Sequence, residues 1–285
     1  MCLEAWLGFL KEPGSDESVE VNVEILVCVK RVPDTSENEI QLNGAGNDIE
    51  RDDLVYSINE WDNYAVEEAL QMVARVGGNV TVVTVGGEED EEVLRRQMAM
   101  GAQHGVLLCD DAFHGSDGKG IATIVKAFVR KGNFDLILTG VQAEDGAAQV
   151  GGMLAAMLEY PFASLVNSIE VLDDRKLKIS REIAGGSREI CEIDLPCVLS
   201  IQTGINEPRY VGMRGIRQVA SIPIPTPTAA ELDIAPSTVG EAAARVKRLD
   251  YFVPVAGKSA EILQGSREEN VDRLVELIAA KGGLK

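Results

Sequence analysis

Short apolar runs alternate along the first half of the chain with stretches whose apolar residues recur every three or four positions. VEILVCVK (residues 23–30) is rich in β-branched residues and reads as a buried strand. EWDNYAVEEALQMVARV (60–76) has helical spacing, with acids in its first turn and Arg75 in its last, which complements the helix dipole at both ends. VTVVTVGG (80–87) is the next strand. EEDEEVLRRQMAMGA (88–102) is a helix that starts acidic and stops at Gly101. GVLLCDD (105–111) and FDLILTG (134–140) are strands, each followed by a helical pattern, SDGKGIATIVKAFVRKG (116–132) after the first and GGMLAAMLEY (151–160) after the second.

Strands alternating with helices of ten to fifteen residues imply parallel strands joined by helical crossovers. Strands that are apolar at nearly every position imply a sheet covered on both faces. Residues 23–161 therefore read as a doubly wound α/β unit, a mostly parallel sheet with antiparallel additions and a C-terminal arm. After Phe162 the rhythm changes. RKLKISREI (175–183) and SREICEI (187–193) read as antiparallel strands joined by Ala184, Gly185 and Gly186, and LPCVLSIQ (195–202) as a further buried strand. Residues 205–234 are rich in Pro and Gly and fit no simple core element, so they read as an arm or loop leaving the body. SREENVDRLVELIAAKGG (266–283) is an amphipathic helix. The expected organisation is an N-terminal extension (1–22), an α/β body (23–221) that includes a loop at 206–217, and a C-terminal arm and helix (222–285).

The chain has 285 residues and a formal net charge of −19, which disfavours nucleic acid and anionic membrane surfaces as partners. No apolar run approaches the ~20 residues of a membrane span. The first 22 residues lack the basic character of a secretory or mitochondrial signal. Five scattered cysteines without a CxxC point to a reducing, cytoplasmic compartment. The two histidines, His104 and His114, have no metal-ligand company, so no metal site is expected.

Chemistry motifs are sparse. No GxGxxG follows the first strand, and neither GxxxxGK[ST] nor GxSxG occurs. No catalytic group is assigned, and the adjacent acids Glu144 and Asp145 read as a solvated turn. Doubly wound sheets bind ligands beyond the carboxyl ends of their strands. That places Cys28, Val29, Lys30, Val85, Gly86 and Gly140 at a candidate nucleotide cleft. Asn59 and Asp62 open the first helix and could reach a ribose or base, with a plain N-cap as the other reading of Asn59. TGVQAEDGAAQVGG (139–152) runs from a strand to a helix start, where Gln149 and Val150 could offer N–H groups to phosphate. Gly151 and Gly152 would let backbone come close.

Several segments together resemble the β (small) subunit of electron transfer flavoprotein, the family that includes the FixA proteins. They are ILVCVKRVPDT, NEWDNYAVEEALQM, MAMGA, LILTGVQAEDGAAQVGGMLA, LKISREIAGGSREICEIDLPCVLSI and INEPRY, in the family's order across residues 23–224. The resemblance implies a heterodimer with an α subunit that holds most of the contacts to a shared FAD. It implies a carrier of electrons from flavin dehydrogenases, such as acyl-CoA dehydrogenases, to a quinone reductase or similar acceptor. It also implies AMP, or a second FAD in electron-bifurcating members, within this subunit. The site residues it carries over are Cys28, Val29, Lys30, Asn59, Asp62, Val85, Gly86, Gly140, Gln142, Glu144, Asp145, Gly146, Ala147, Ala148, Gln149 and Val150. The segment INEPRYVGM resembles the family's dehydrogenase-docking loop, which places Arg209, the anchor Met213 and Arg214 there, with Glu182 behind it. The loop QAEDGAAQVG is one residue shorter than the family's usual form, and AMP and a second FAD both stay open. A stand-alone adenine-nucleotide sensor on the same sheet is the competing reading, and a scaffold without nucleotide a third.

Overall fold

The computed structural model describes residues 22–283 except 145, 255, 256, 258, 259 and 261. The expected N-terminal extension and Asp145 therefore lie outside the described residues, apart from residue 22. The chain divides into two compact units. The body runs to Glu39 and resumes over Arg51–Arg248, and the smaller unit comprises Ile40–Glu50 and the residues from Leu249 on.

In chain order the body forms β1 (Val23–Cys28), β2 (Arg31–Pro33), β3 (Tyr56–Ile58), α1 (Glu60–Val76), β4 (Gly78–Val85), α2 (Glu91–Met100) and β5 (His104–Leu108). It continues with α3 (Gly118–Val129), β6 (Leu136–Gly140), α4 (Val150–Leu158), β7 (Phe162–Val171), β8 (Lys176–Ile183), β9 (Ser187–Asp194) and β10 (Cys197–Ile201). The short helices α5 (Met213–Val219) and α6 (Gly240–Ala243) complete it. The smaller unit holds α7 (Arg267–Ala280), which begins with a capping box between Ser266 and Glu269. No helix among the described residues is long and apolar enough to cross a membrane.

Eight strands make one sheet in the order β5-β4-β1-β6-β10-β7-β8-β9. The first six are parallel, and β8 and β9 extend the sheet as an antiparallel hairpin through the expected turn at 184–186. The mixed α/β architecture expected from the pattern is the one observed. Apolar residues point both ways from β1. Val23, Ile25 and Val27 meet Ala65, Val66, Ala69 and Met72 of α1 and Leu94 of α2. Leu26 shares the opposite core with Ile124 and Val125 of α3 and Leu154 of α4. Both faces are thus covered, which is why the strands read as nearly unbroken apolar runs.

Two placements go beyond or against the sequence reading. The further buried strand expected at 195–202 is β10, which inserts between β6 and β7, parallel to both. The boundary at 222 is also not a packing boundary. Ala229, Leu232, Ile234 and Val239 are buried in the α3/α4 core. The Ala229 amide donates to Asp110 Oδ2 at 2.9 Å, and the Leu107 amide donates to the Pro225 carbonyl at 3.0 Å. Farther on, Asp117 Oδ2 accepts from the amides of Arg245 and Val246. Its irregular, Pro-interrupted apolar spacing hid this segment, because core contact there follows no helical or strand period.

Candidate functional site

The chain winds outward from β1 to β4 and β5, then crosses back to β6 on the other side of β1. The carboxyl ends of β1 and β6 are therefore the topological switch point, where two crossovers part and leave a crevice. Asp62, in the first turn of α1, sits across it. One carboxylate oxygen accepts the Lys30 amide at 2.9 Å and the other accepts the Gly140 amide at 3.0 Å. A single side chain thus ties the ends of both strands to α1. Glycine is required at 140, since a Cβ there would stand 2.5 Å from Asp62 Oδ1 and 2.6 Å from Trp61 Cβ.

Burial pushes the Asp62 carboxyl up from its ordinary 3.8 to about 7, against the opposing pull of Asn59, the two backbone donors and Lys30. Burial, with Asp62 adding to it, raises the Cys28 thiol to about 12, so Cys28 stays protonated. Asn59 is not a side-chain N-cap. Its amide nitrogen donates to the Gln142 carbonyl at 2.8 Å, and its backbone amide donates to the Lys30 carbonyl at 2.8 Å. Asn59 Oδ1 is buried and has no protein partner. An unpaired buried carbonyl costs ~1–3 kcal/mol, and a donor from a bound molecule would recover it.

The remaining expected residues lie at the carboxyl ends of β1 and β4 and in the segment between β6 and α4. The Val29 amide is committed to the Val83 carbonyl at 2.9 Å, and Val85 and Gly86 close β4, with the Gly86 amide on the Leu108 carbonyl. Gln142, Glu144, Gly146, Ala147 and Ala148 form an exposed loop, and Gln149 and Val150 lead half-buried into α4. Ala148 holds a left-handed φ of 52°, a conformation that costs an L-residue energy and collects at ligand loops. Acids crowd the other rim. After burial, Glu88, Glu89, Asp110 and Asp111 raise the Cys109 thiol.

Gly151 has a different role from the expected one. A Cβ there would lie 2.5 Å from Ser200 Oγ and 2.8 Å from Thr139 Oγ1, two buried hydroxyls 2.9 Å apart. The glycine lets α4 close on β6 and β10, rather than opening the backbone to a ligand. Trp61, which the sequence reading passed over, donates from its indole N–H to Gln202 Oε1 at 3.1 Å, and Gln202 donates to Glu182 Oε2 at 3.1 Å. Glu182 is thereby joined to the crevice through one intermediate. Nothing in the local pattern marks that chain, which needs α1, β8 and β10 in place.

The segment carrying the expected docking residues lies on α1 and α2. Arg209 is engaged internally: it grips Glu67 through both guanidinium edges, Nε–Oε2 at 2.8 Å and Nη2–Oε1 at 3.0 Å. Burial pushes Glu67 up, but the bonds from Arg209 and Gln71 outweigh it and hold the carboxyl below its usual range. Met213 (66% exposed) and Tyr210 (90% exposed) stand out into solvent with Arg214.

The family model for the electron transfer flavoprotein domain matches residues 47–232. Electron transfer flavoprotein subunit beta of Methylophilus methylotrophus is 34% identical over 90% of this chain and 98% of its own length. The caffeyl-CoA reductase-Etf complex subunit CarD of Acetobacterium woodii is 33% identical over 87% of this chain and 94% of its own. Protein FixA of Azotobacter vinelandii is 37% identical over 65% of this chain and 67% of its own. The chain belongs to the electron transfer flavoprotein family, on the side of its β subunits.

Proposed function

We propose that this chain pairs with an α subunit to form an FAD-containing heterodimer, and itself holds an adenine nucleotide in the β1/β6 crevice. The observation that carries the nucleotide reading is the Asp62 brace across the switch point beside the unpartnered Asn59 carbonyl oxygen. A buried acceptor next to strand-end backbone suits the donor edge of an adenine or a ribose hydroxyl. The acidic β4/β5 rim then turns the phosphate toward residues 146–150 and the start of α4, where N–H groups and the helix dipole favour negative charge. AMP and the adenosine part of a second FAD present the same groups to this crevice.

The flavin, when bound, supplies the electron-carrying chemistry. The chain's own residues bind and orient. Asp62 fixes the crevice walls, Asn59 holds the 140–150 loop through Gln142, and the exposed Met213 and Tyr210 dock a flavin dehydrogenase, such as an acyl-CoA dehydrogenase. A quinone reductase or similar acceptor takes the electrons onward. The four cysteines among the described residues are free, which suits a reducing cytoplasm. The smaller unit also offers the α subunit an apolar stripe on α7, where Val271, Leu274, Val275 and Ile278 are exposed at helical spacing.

Co-expression with the α subunit encoded in the same organism tests the assembly. The expected product is a yellow one-to-one complex that a reduced acyl-CoA dehydrogenase can reduce. A chain that purifies alone as a stable, colourless monomer and ignores the α subunit contradicts the proposal.

A further inference from the structure

Residues 205–212 form no helix or strand, yet the chain holds them at both ends. At the entry, Glu67 and Glu68 of α1 act side by side. Glu67 receives the Arg209 guanidinium through two oxygens and the Arg209 amide at 3.2 Å, and Gln71 donates to it at 2.9 Å. Glu68 receives Asn206 Nδ2 at 3.1 Å, and the same nitrogen also donates to the Tyr64 carbonyl. At the exit, Arg95 of α2 donates from Nη1 to the carbonyls of Val219 at 2.6 Å and Ile222 at 3.0 Å. Glu91 orients that arginine through Nε at 2.6 Å. Between the two clamps, Tyr210 and Met213 are the large apolar side chains left most open to solvent.

The Glu67 side chain is 4% exposed, and a carboxylate so covered costs stability unless it is paired. An apolar pair in the same place could hold a helix and a loop together at least as well. What the two-toothed ion pair adds is one geometry, because the planar guanidinium fork fits the carboxylate in a single way. At the exit a single nitrogen, Arg95 Nη1, bonds two carbonyls at and just beyond the end of α5 and so caps it. A loop fixed before contact loses less conformational freedom on binding, so its apolar tips dock with less entropy to surrender.

We propose that Glu67 and Arg95 are positioning residues that hold residues 206–222 preformed, with Tyr210 and Met213 presented, for the dehydrogenase that docks there. The proposal rests on the docking reading given above. Each acts through Arg209 or the end of α5.

The test uses the heterodimer with its α subunit, carrying Glu67→Gln or Arg95→Met, and an acyl-CoA dehydrogenase reduced by acyl-CoA as electron donor. Amide hydrogen exchange across residues 210–219 should speed up by about tenfold or more in each variant. The KM for the heterodimer should rise by about fivefold, with kcat within about twofold and flavin content equal. A purely structural role would not divide KM from kcat in this way. Wild-type exchange and wild-type KM in both variants overturn the proposal, and Arg95→Met keeps the test alive if Glu67→Gln fails to fold. Met213→Ala separates the two readings: it should raise KM without changing exchange. If Met213→Ala leaves KM unchanged, the docking reading fails. A raised KM in Met213→Ala beside an unmoved KM in both clamp variants refutes the clamps alone.

Discussion

Replacing Asp62 should reveal how much the crevice depends on one carboxylate. Asp62→Ala removes the acceptor of two backbone amides, those of Lys30 and Gly140, at the ends of neighbouring parallel strands. Each of these part-buried donors, left unpaired, costs ~1–3 kcal/mol, so the variant should lose ~2–6 kcal/mol of stability. Asp62→Asn keeps the shape and one acceptor oxygen, and should lose less. The two substitutions also differ from wild type in how they respond to pH. The folded-state carboxyl titrates near 7, above its ordinary 3.8, so the native state holds the proton more tightly than the unfolded chain. Its contribution is fully present below pH 3.8 and fades as pH rises through about 7. The gap between those two values caps that contribution at roughly 4 kcal/mol, at ~1.4 kcal/mol for each tenfold change in proton affinity. Asparagine carries no such proton, so Asp62→Asn should gain on wild type between pH 5 and pH 8.5. Urea unfolding of the heterodimer at fixed concentration and both pH values measures this. A loss below ~1 kcal/mol in Asp62→Ala, or a wild-type-to-Asn difference that ignores pH, would refute the brace.

Three further outcomes follow from the packing. Gly151→Val drives a branched side chain into the Thr139–Ser200 hydroxyl pair and should cost several kcal/mol in thermal unfolding, ahead of any effect on nucleotide. Met213→Ala, at an exposed position, should leave the melting temperature unchanged and slow electron transfer by roughly tenfold at a dehydrogenase concentration below KM, where docking limits the rate, which stopped-flow flavin reduction reads. Truncation after Ile224 strips Leu232, Ile234 and Val239 from the α3/α4 core and should leave the chain aggregated, whereas truncation after Arg248 should keep a cooperative circular-dichroism melt.

Much of the fold was legible because its parts are locally encoded. The helix expected at 60–76 occupies those residues, since its apolar spacing, acidic start and Gly77 stop all agree. The antiparallel hairpin was marked by alternation and by Gly185 and Gly186. The insertion of β10 between β6 and β7 was not legible, because neighbour choice within a sheet leaves no trace in a five-residue apolar run. The crevice could be located from strand ends and the switch-point rule. Its working parts could not: Asp62 reads as a contact to a ribose or base, and its role as a brace shows only where β1 and β6 converge on it. Arg209 likewise reads as a free docking charge until α1 turns Glu67 toward it, 142 residues away in sequence. Local pattern specifies elements, whereas these contacts arise only from their assembly.

The most direct measurement of the central claim is the nucleotide content of the purified heterodimer, released by denaturation and quantified by chromatography with absorbance detection. The expected content is one FAD together with one further adenine nucleotide per heterodimer, either AMP or a second FAD. Asn59→Leu, which removes the unpaired carbonyl, should lose the second nucleotide while keeping the first. One FAD with no further nucleotide in the wild-type heterodimer would contradict it.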